Sequence, residues 1–107
     1  MTPDEMRTEI LSLVSEQAKG PDAHYEAEIA AERAEDAYQA ALDKEFLTAE
    51  GNVEERKAVA RLATADLRDK AIIARAVHGR VKLKIRALDS SIMASQGVLK
   101  SMMRDGA

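Results

Sequence analysis

The chain has 107 residues, of which 33% are charged and 3% aromatic, with no cysteine and a formal net charge of −3. That length suits one small domain or one helical hairpin with an extension, and so few aromatics leave little bulk for a thick core. Without cysteine there is no disulfide scaffold, no thiolate nucleophile and no Cys-ligated zinc.

Ala, Glu, Arg, Lys and Leu dominate, the balance of long helices and coiled coils. A small core rarely stabilises such a chain alone, so assembly into a homo-oligomer is expected. No apolar run approaches the ~20 residues of a membrane helix. Met1-Thr2-Pro3-Asp4-Glu5 lacks the basic-then-apolar order of a secretion signal. The expectation is a cytoplasmic protein with no membrane partner. The charge is unevenly spread: residues 1–50 hold four bases against 13 acids, residues 51–107 hold 12 against six. Such a split implies a basic working surface, or two halves that neutralise each other.

The first predicted helix occupies residues 1–20. Thr2 can cap, Pro3 suits the first helical position and Glu5 completes a capping box. Met6, Ile10, Leu13 and Val14 then recur at helical spacing. Gly20-Pro21 ends it, with Gly20 expected as a left-handed cap.

Residues 21–107 form the second predicted unit, a helical hairpin with a long basic C-terminal helix. Its first arm runs to about Leu47. Ala23, Ala27, Ala30, Ala34, Ala37 and Ala41 step by alternating fours and threes, a heptad seam of small side chains. Tyr25, Ile29, Tyr38 and Leu42 flank it. Thr48 to Asn52, with Gly51-Asn52, reads as the turn.

The second arm starts with Asn52 as cap and Glu55 three residues later. It is predicted to continue as one helix to about Arg104, with Gly79 and Gly97 as candidate bends. Val81-Lys82-Leu83-Lys84-Ile85-Arg86 alternates strictly, which is a strand signature, but helical periodicity on both sides embeds it in the helix. The fold class is therefore all-α, a helical hairpin with a long coiled-coil-like C-terminal helix, oligomeric.

Two faces of that helix carry the functional reading. An apolar stripe runs through Val59, Ala63, Leu67, Ala74, Val77, Val81, Ile85, Leu88, Ile92, Ser95, Leu99 and Met103. The first arm is shorter and Ala-rich, so Val77, Val81, Ile85, Leu88, Ile92 and Leu99 are the candidate self-association surface. On the opposite face lie Lys57, Arg61, Arg68, Arg75, Lys82, Arg86, Lys100 and Arg104, with Arg80 and Lys84 beside them. Between Lys70 and Arg86 there is no acid. A surface made only for solubility mixes signs, because i,i+4 ion pairs stabilise helices. A single-sign row suits a polyanion, which releases counterions on binding. The plainer alternatives are a solvated amphipathic face, or neutralisation by the acidic arm through Glu26, Glu28, Glu32, Glu35 and Asp36. Aromatics for base stacking are missing from residues 53–107, so contacts to phosphate are expected to dominate.

For chemistry the sequence offers little. His24 near a helix start reads as a surface residue and His78 as a packing residue at the stripe's edge. No HExxH, GxSxG, phosphate-binding glycine loop or EF-hand spacing occurs, nor the Glu-x-x-His spacing of helix-bundle metal sites. The expectation is a non-enzyme with no cofactor and no metal. Met93, Met102 and Met103 could form an adaptable apolar patch, or plain end packing.

The stretches Val53-Glu54-Glu55-Arg56-Lys57-Ala58-Val59-Ala60, Val81-Lys82-Leu83-Lys84-Ile85-Arg86-Ala87-Leu88 and Ser95-Gln96-Gly97-Val98-Leu99-Lys100 resemble small helical bacteriophage proteins similar to the UvsY-type recombination mediators. The resemblance spans about residues 25–103 and is one of charge and heptad texture. It implies an oligomeric single-stranded-DNA-binding protein in DNA recombination, located in the host-cell cytoplasm. Its partners would be single-stranded nucleic acid, further copies of itself, and a recombinase or single-strand-binding protein. It points to Lys82, Lys84 and Arg86, with Arg75 and Arg80, as DNA contacts. The competing readings are a coiled-coil adaptor or inhibitor that binds protein through the apolar stripe, and a virion or scaffold component.

Overall fold

A computed structural model describes residues 1–105. They form four helices: α1 (Pro3–Gln17), α2 (Gly20–Thr48), α3 (Val53–Ala63) and α4 (Ala65–Asp105). No strand occurs among the described residues. The chain divides into two compact units. One joins Met1–His24 to the C-terminal stretch from Arg80; the other is Tyr25–Gly79.

In the first unit, α1 begins as its residues dictate. Thr2 Oγ1 accepts from the Glu5 amide at 3.1 Å, and the Thr2 amide donates back to the Glu5 carboxylate. Pro3 sits in the first turn. Met6 of α1 and Ile92 of α4 are this unit's buried apolar residues. Gln17 Nε2 donates to Asp89 at 2.6 Å, and Arg7 reaches Met103 Sδ. The C-terminal part of the stripe turns inward here: Val81, Ile85, Leu88, Ser95 and Leu99 are half-buried. It is α1 and the start of α2 that cover it, a pairing the heptad pattern did not reveal.

Gly20 is not a left-handed cap. It is the first residue of α2, buried, and the sole positive-φ residue among those described is Gly51. Its role is close approach: a Cβ there would stand 3.2 Å from Ile85 Cγ1. The predicted stop was right in place and wrong in mechanism, because the sharp turn is made by residues 18–19, with Ala18 in the right-handed region.

In the second unit, α2 and α3 with the start of α4 make the hairpin. The turn falls at residues 49–52, where Gly51 adopts φ 109°, a region L-residues disfavour. Asn52 caps α3, its side chain accepting from the Glu55 amide at 2.9 Å.

The long C-terminal helix is broken at Thr64. This residue is 2% exposed, has φ −110° and ψ 10°, and its Oγ1 donates to the Ala60 carbonyl at 2.7 Å. A Thr hydroxyl bonded four residues back competes with the helical ladder and bends it. Gly79 and Gly97 do not bend the chain; both lie inside α4.

The break re-phases the buried face. In α3 and early α4 the inward residues are Ala60, Thr64, Leu67, Ala71 and Ala74, while Val59, Ala63 and Val77 of the predicted stripe are exposed. On α2 the seam is likewise rotated. Ala27, Ala31, Ala34, Tyr38, Ala41 and Leu42 turn inward, whereas Ala23, Ala30, Ala37 and Tyr25 are exposed.

Val81 to Arg86 is helical throughout. Val81 and Ile85 face inward one turn apart, and Leu83 between them is left 64% exposed. The alternation therefore comes from one apolar residue on the outer face, not from a pleat.

Candidate functional site

The cationic residues fall into two sets, one per unit. In the first unit, Arg80, Lys82, Lys84 and Arg86 are all exposed. Helical geometry groups them as Lys82 with Arg86 and Arg80 with Lys84, one pair on each flank of the inward Val81 and Ile85. Like charges at i,i+4 cost a helix a few tenths of a kcal/mol per pair. Among the described residues none of these four pairs with a carboxylate. Lys100 and Arg104 follow on α4, also exposed, with Arg104 near its own neighbour Asp105 at 3.8 Å.

In the second unit, Lys57, Arg61, Arg68 and Arg75 are exposed, but two of them are engaged. Arg75 Nη2 meets Glu35 of α2 at 3.2 Å, and Lys57 lies 3.7 Å from Glu54. Arg75 therefore does not stand unopposed. The acidic arm answers it across the hairpin, because Glu35 turns partly inward where Arg75 arrives. Exposed pairs of this kind contribute about 0–1 kcal/mol, so they hold Arg75 only weakly.

Close to the hairpin's turn the structure supplies an aromatic ring that residues 53–107 lack. Arg56 lies with its guanidinium carbon 4.4 Å from the Phe46 ring centroid, and its Nε donates to the Phe46 carbonyl at 3.1 Å. A groove of about 400 Å³ opens beside it, lined by Leu42, Asp43, Phe46, Lys57, Ala60 and Arg61. The cation–π spacing of ten residues across a turn was readable only with the hairpin register in hand.

Of the candidate self-association residues, Ile92 is buried and Val81, Ile85, Leu88 and Leu99 are half-buried within their own unit; Val77 is 46% exposed. Other large apolar residues left open include Leu62 on α3, Ile73, Leu83 and Met93 on α4, Leu47 on α2 and Leu11 on α1. Met103 is exposed and Met102 half-buried.

One polar cluster was missed in sequence. Within the second unit Glu28 of α2 and His78 of α4 come together, a carboxylate oxygen and an imidazole nitrogen lying within 4.8 Å of each other. Both are half-buried, His78 in keeping with a packing place at the stripe's edge; His24, read as a surface residue, is half-buried too. No helix among the described residues is long and apolar enough to cross a membrane. Comparison with protein-family models, with curated proteins and with solved structures finds no match to this chain.

Proposed function

We propose that this chain binds single-stranded nucleic acid through the Arg80–Arg86 segment of α4 and serves DNA recombination as a non-enzymatic accessory protein. The observation that carries the reading is that Arg80, Lys82, Lys84 and Arg86 are exposed without a carboxylate partner among the described residues. The helix keeps this unfavourable grouping of like charge although a single interleaved Glu would relieve it. A polyanion relieves it instead, and gains the entropy of released counterions.

The ligand contacts are to phosphate, because the flanking residues Leu83 and Ala87 carry no hydrogen-bonding groups for base edges. Recognition of this kind is nearly independent of sequence. Single strands are favoured over duplex by the resemblance to recombination mediators. Self-association through open apolar residues such as Leu62, Leu83 and Met93 would repeat the segment and add weak contacts by avidity.

The test is fluorescence anisotropy of a labelled oligonucleotide against the full chain at two salt concentrations. Binding that weakens steeply with salt supports the reading, and its disappearance when Lys82, Lys84 and Arg86 are all changed to Gln locates it. Absence of binding at low salt rejects it. The adaptor reading rests on the same open apolar residues, and a chain that stays monomeric and ignores nucleic acid would favour it.

A further inference from the structure

We propose that the cationic face of α4 at residues 80–86 also receives the Glu32–Asp36 pair of α2 from a second copy of the chain, so that self-association and nucleic acid compete for the same cations. The docking stands by itself; the competition rests on the nucleic-acid reading above.

The structure sorts the acids of α2 into two groups. Residues 26–43 hold six acids against one base, Arg33. The hairpin engages two of these acids itself: Glu35 pairs with Arg75 at 3.2 Å, and Glu28 lies within 4.8 Å of His78. Glu32 and Asp36 are exposed and pair with no cation among the described residues. Standing one turn apart, they are a like-charge pair that works against α2. The cations of α4 are in the mirror situation, exposed and without a carboxylate. Because all six side chains are open in the single chain, the occupant comes from another copy.

The two faces match in spacing as well as in sign. Residues four apart on a helix are separated by about 6 Å along its axis. That separation is common to Glu32 and Asp36, to Arg80 and Lys84, and to Lys82 and Arg86. Leu83 lies between the two cation pairs, 64% exposed, with Ala87 and Ser90 following on the same line. This uncharged strip lets another helix come close while the long cationic side chains reach round it from both sides. An incoming helix takes Leu83 out of water. On α2, Tyr25 is 65% exposed two turns before Glu32 on the line of the acids, and adds apolar area there. Exposed ion pairs are individually weak and screened by salt, so the contact is reversible and open to displacement by phosphate.

The experiment uses the full chain. Copies carrying light and heavy nitrogen are mixed at low salt and treated with a carbodiimide, which joins a carboxylate to an amine without a spacer. Peptides that link Glu32 or Asp36 to Lys82 or Lys84 with one light and one heavy half are expected. They should become scarcer at high salt and when an oligonucleotide is added. In sedimentation velocity, Glu32→Gln with Asp36→Asn should weaken self-association roughly tenfold, the effect of losing two exposed ion pairs. That variant should still bind oligonucleotide. Lys82→Gln, Lys84→Gln and Arg86→Gln together should weaken self-association at least as much. The two variants mixed should pair again, since one keeps the cations and the other the acids. Should a variant fold poorly, the cross-links of the unaltered chain still decide. Absence of mixed-isotope links, self-association unchanged by Glu32→Gln with Asp36→Asn, or folded variants that fail to pair when mixed overturns the proposal. If the mixed links form but no form of the chain binds oligonucleotide, the docking holds and the nucleic-acid reading falls.

Discussion

The sharpest test of the nucleic-acid reading is the salt dependence of affinity, because its magnitude follows from how many exposed cations meet phosphate. Arg80, Lys82, Lys84 and Arg86 are the exposed unpaired set of one short helical segment. For single strands the slope of log affinity against log salt is about −0.7 per phosphate neutralised. Four contacts give about −2.8, so raising salt from roughly 50 to 200 mM should weaken binding about 50-fold. Changing Lys82, Lys84 and Arg86 to Gln leaves one contact and a slope near −0.7, a loss of only about threefold over the same interval. A duplex ligand, at about −0.9 per phosphate, would lose roughly 150-fold with four contacts, so the slope also separates the two strand classes. The assay is anisotropy of a labelled oligonucleotide, with far-UV circular dichroism to show that the triple variant remains helical. Gln keeps helix propensity and removes two like-charge i,i+4 pairs, so the variant should be as stable as the parent or slightly more so. A flat salt response in the parent, or a parent-like slope in the variant, would refute the assignment of these residues.

Further expectations concern stability, each read from urea denaturation midpoints. Gly51→Ala should destabilise by about 1–2 kcal/mol, since Gly51 sits at φ 109° and an added Cβ would collide with Glu55. Gly79→Ala and Gly97→Ala should do the reverse, each stabilising by up to about 1 kcal/mol, because both lie within α4 and a Cβ there meets open space. Gly20→Leu should cost about 1–3 kcal/mol by overpacking Ile85, and Ile85→Ala in the same chain should recover part of that loss. Thr64→Ala should cost about 1–2 kcal/mol, combining the lost bond to the Ala60 carbonyl with a buried methyl removed. Equal responses at Gly51 and Gly79 would refute the backbone argument.

The sequence made the all-α class legible, along with both hairpin arms, the capping box at Thr2 and Glu5, the cap at Asn52 and the turn at Gly51. Each of these rests on interactions between residues three or four apart, which a linear pattern contains. The phase of the buried faces was not legible beyond about one turn. A heptad of alanines has little chemical contrast with its neighbours. Ala30 and Ala31 are equivalent in pattern, yet Ala31 turns inward and Ala30 does not. The break at Thr64 has the same origin. Thr is unremarkable in a helix until its hydroxyl is buried and has only the Ala60 carbonyl to bond. A shift of phase there moved Val59 and Val77 outward and brought Ala60 and Ala71 in.

The candidate sites divide along the same line. The cations of residues 80–86 were visible because they lie within seven consecutive positions, and a helix of any phase exposes most of them. The pairing of Arg75 with Glu35 and the meeting of His78 with Glu28 depend on which residue of one arm stands opposite which residue of the other. That register is set by packing of small side chains and by the turn at residues 49–52, and a one-residue slip would replace Glu35 by Ala34 or Asp36 opposite Arg75. His78 follows Arg75 along α4 while its partner Glu28 precedes Glu35 along α2, so the two polar meetings share the antiparallel sense of the hairpin. The register therefore has a polar check at two successive levels of the hairpin. A change that neutralises Glu35 should loosen the arm around His78 as well as free Arg75. Glu35→Gln is expected to leave the helix content unchanged while speeding amide exchange in α4 near residue 75. Exchange that stays as slow as in the parent would show that alanine packing alone holds the two arms in register.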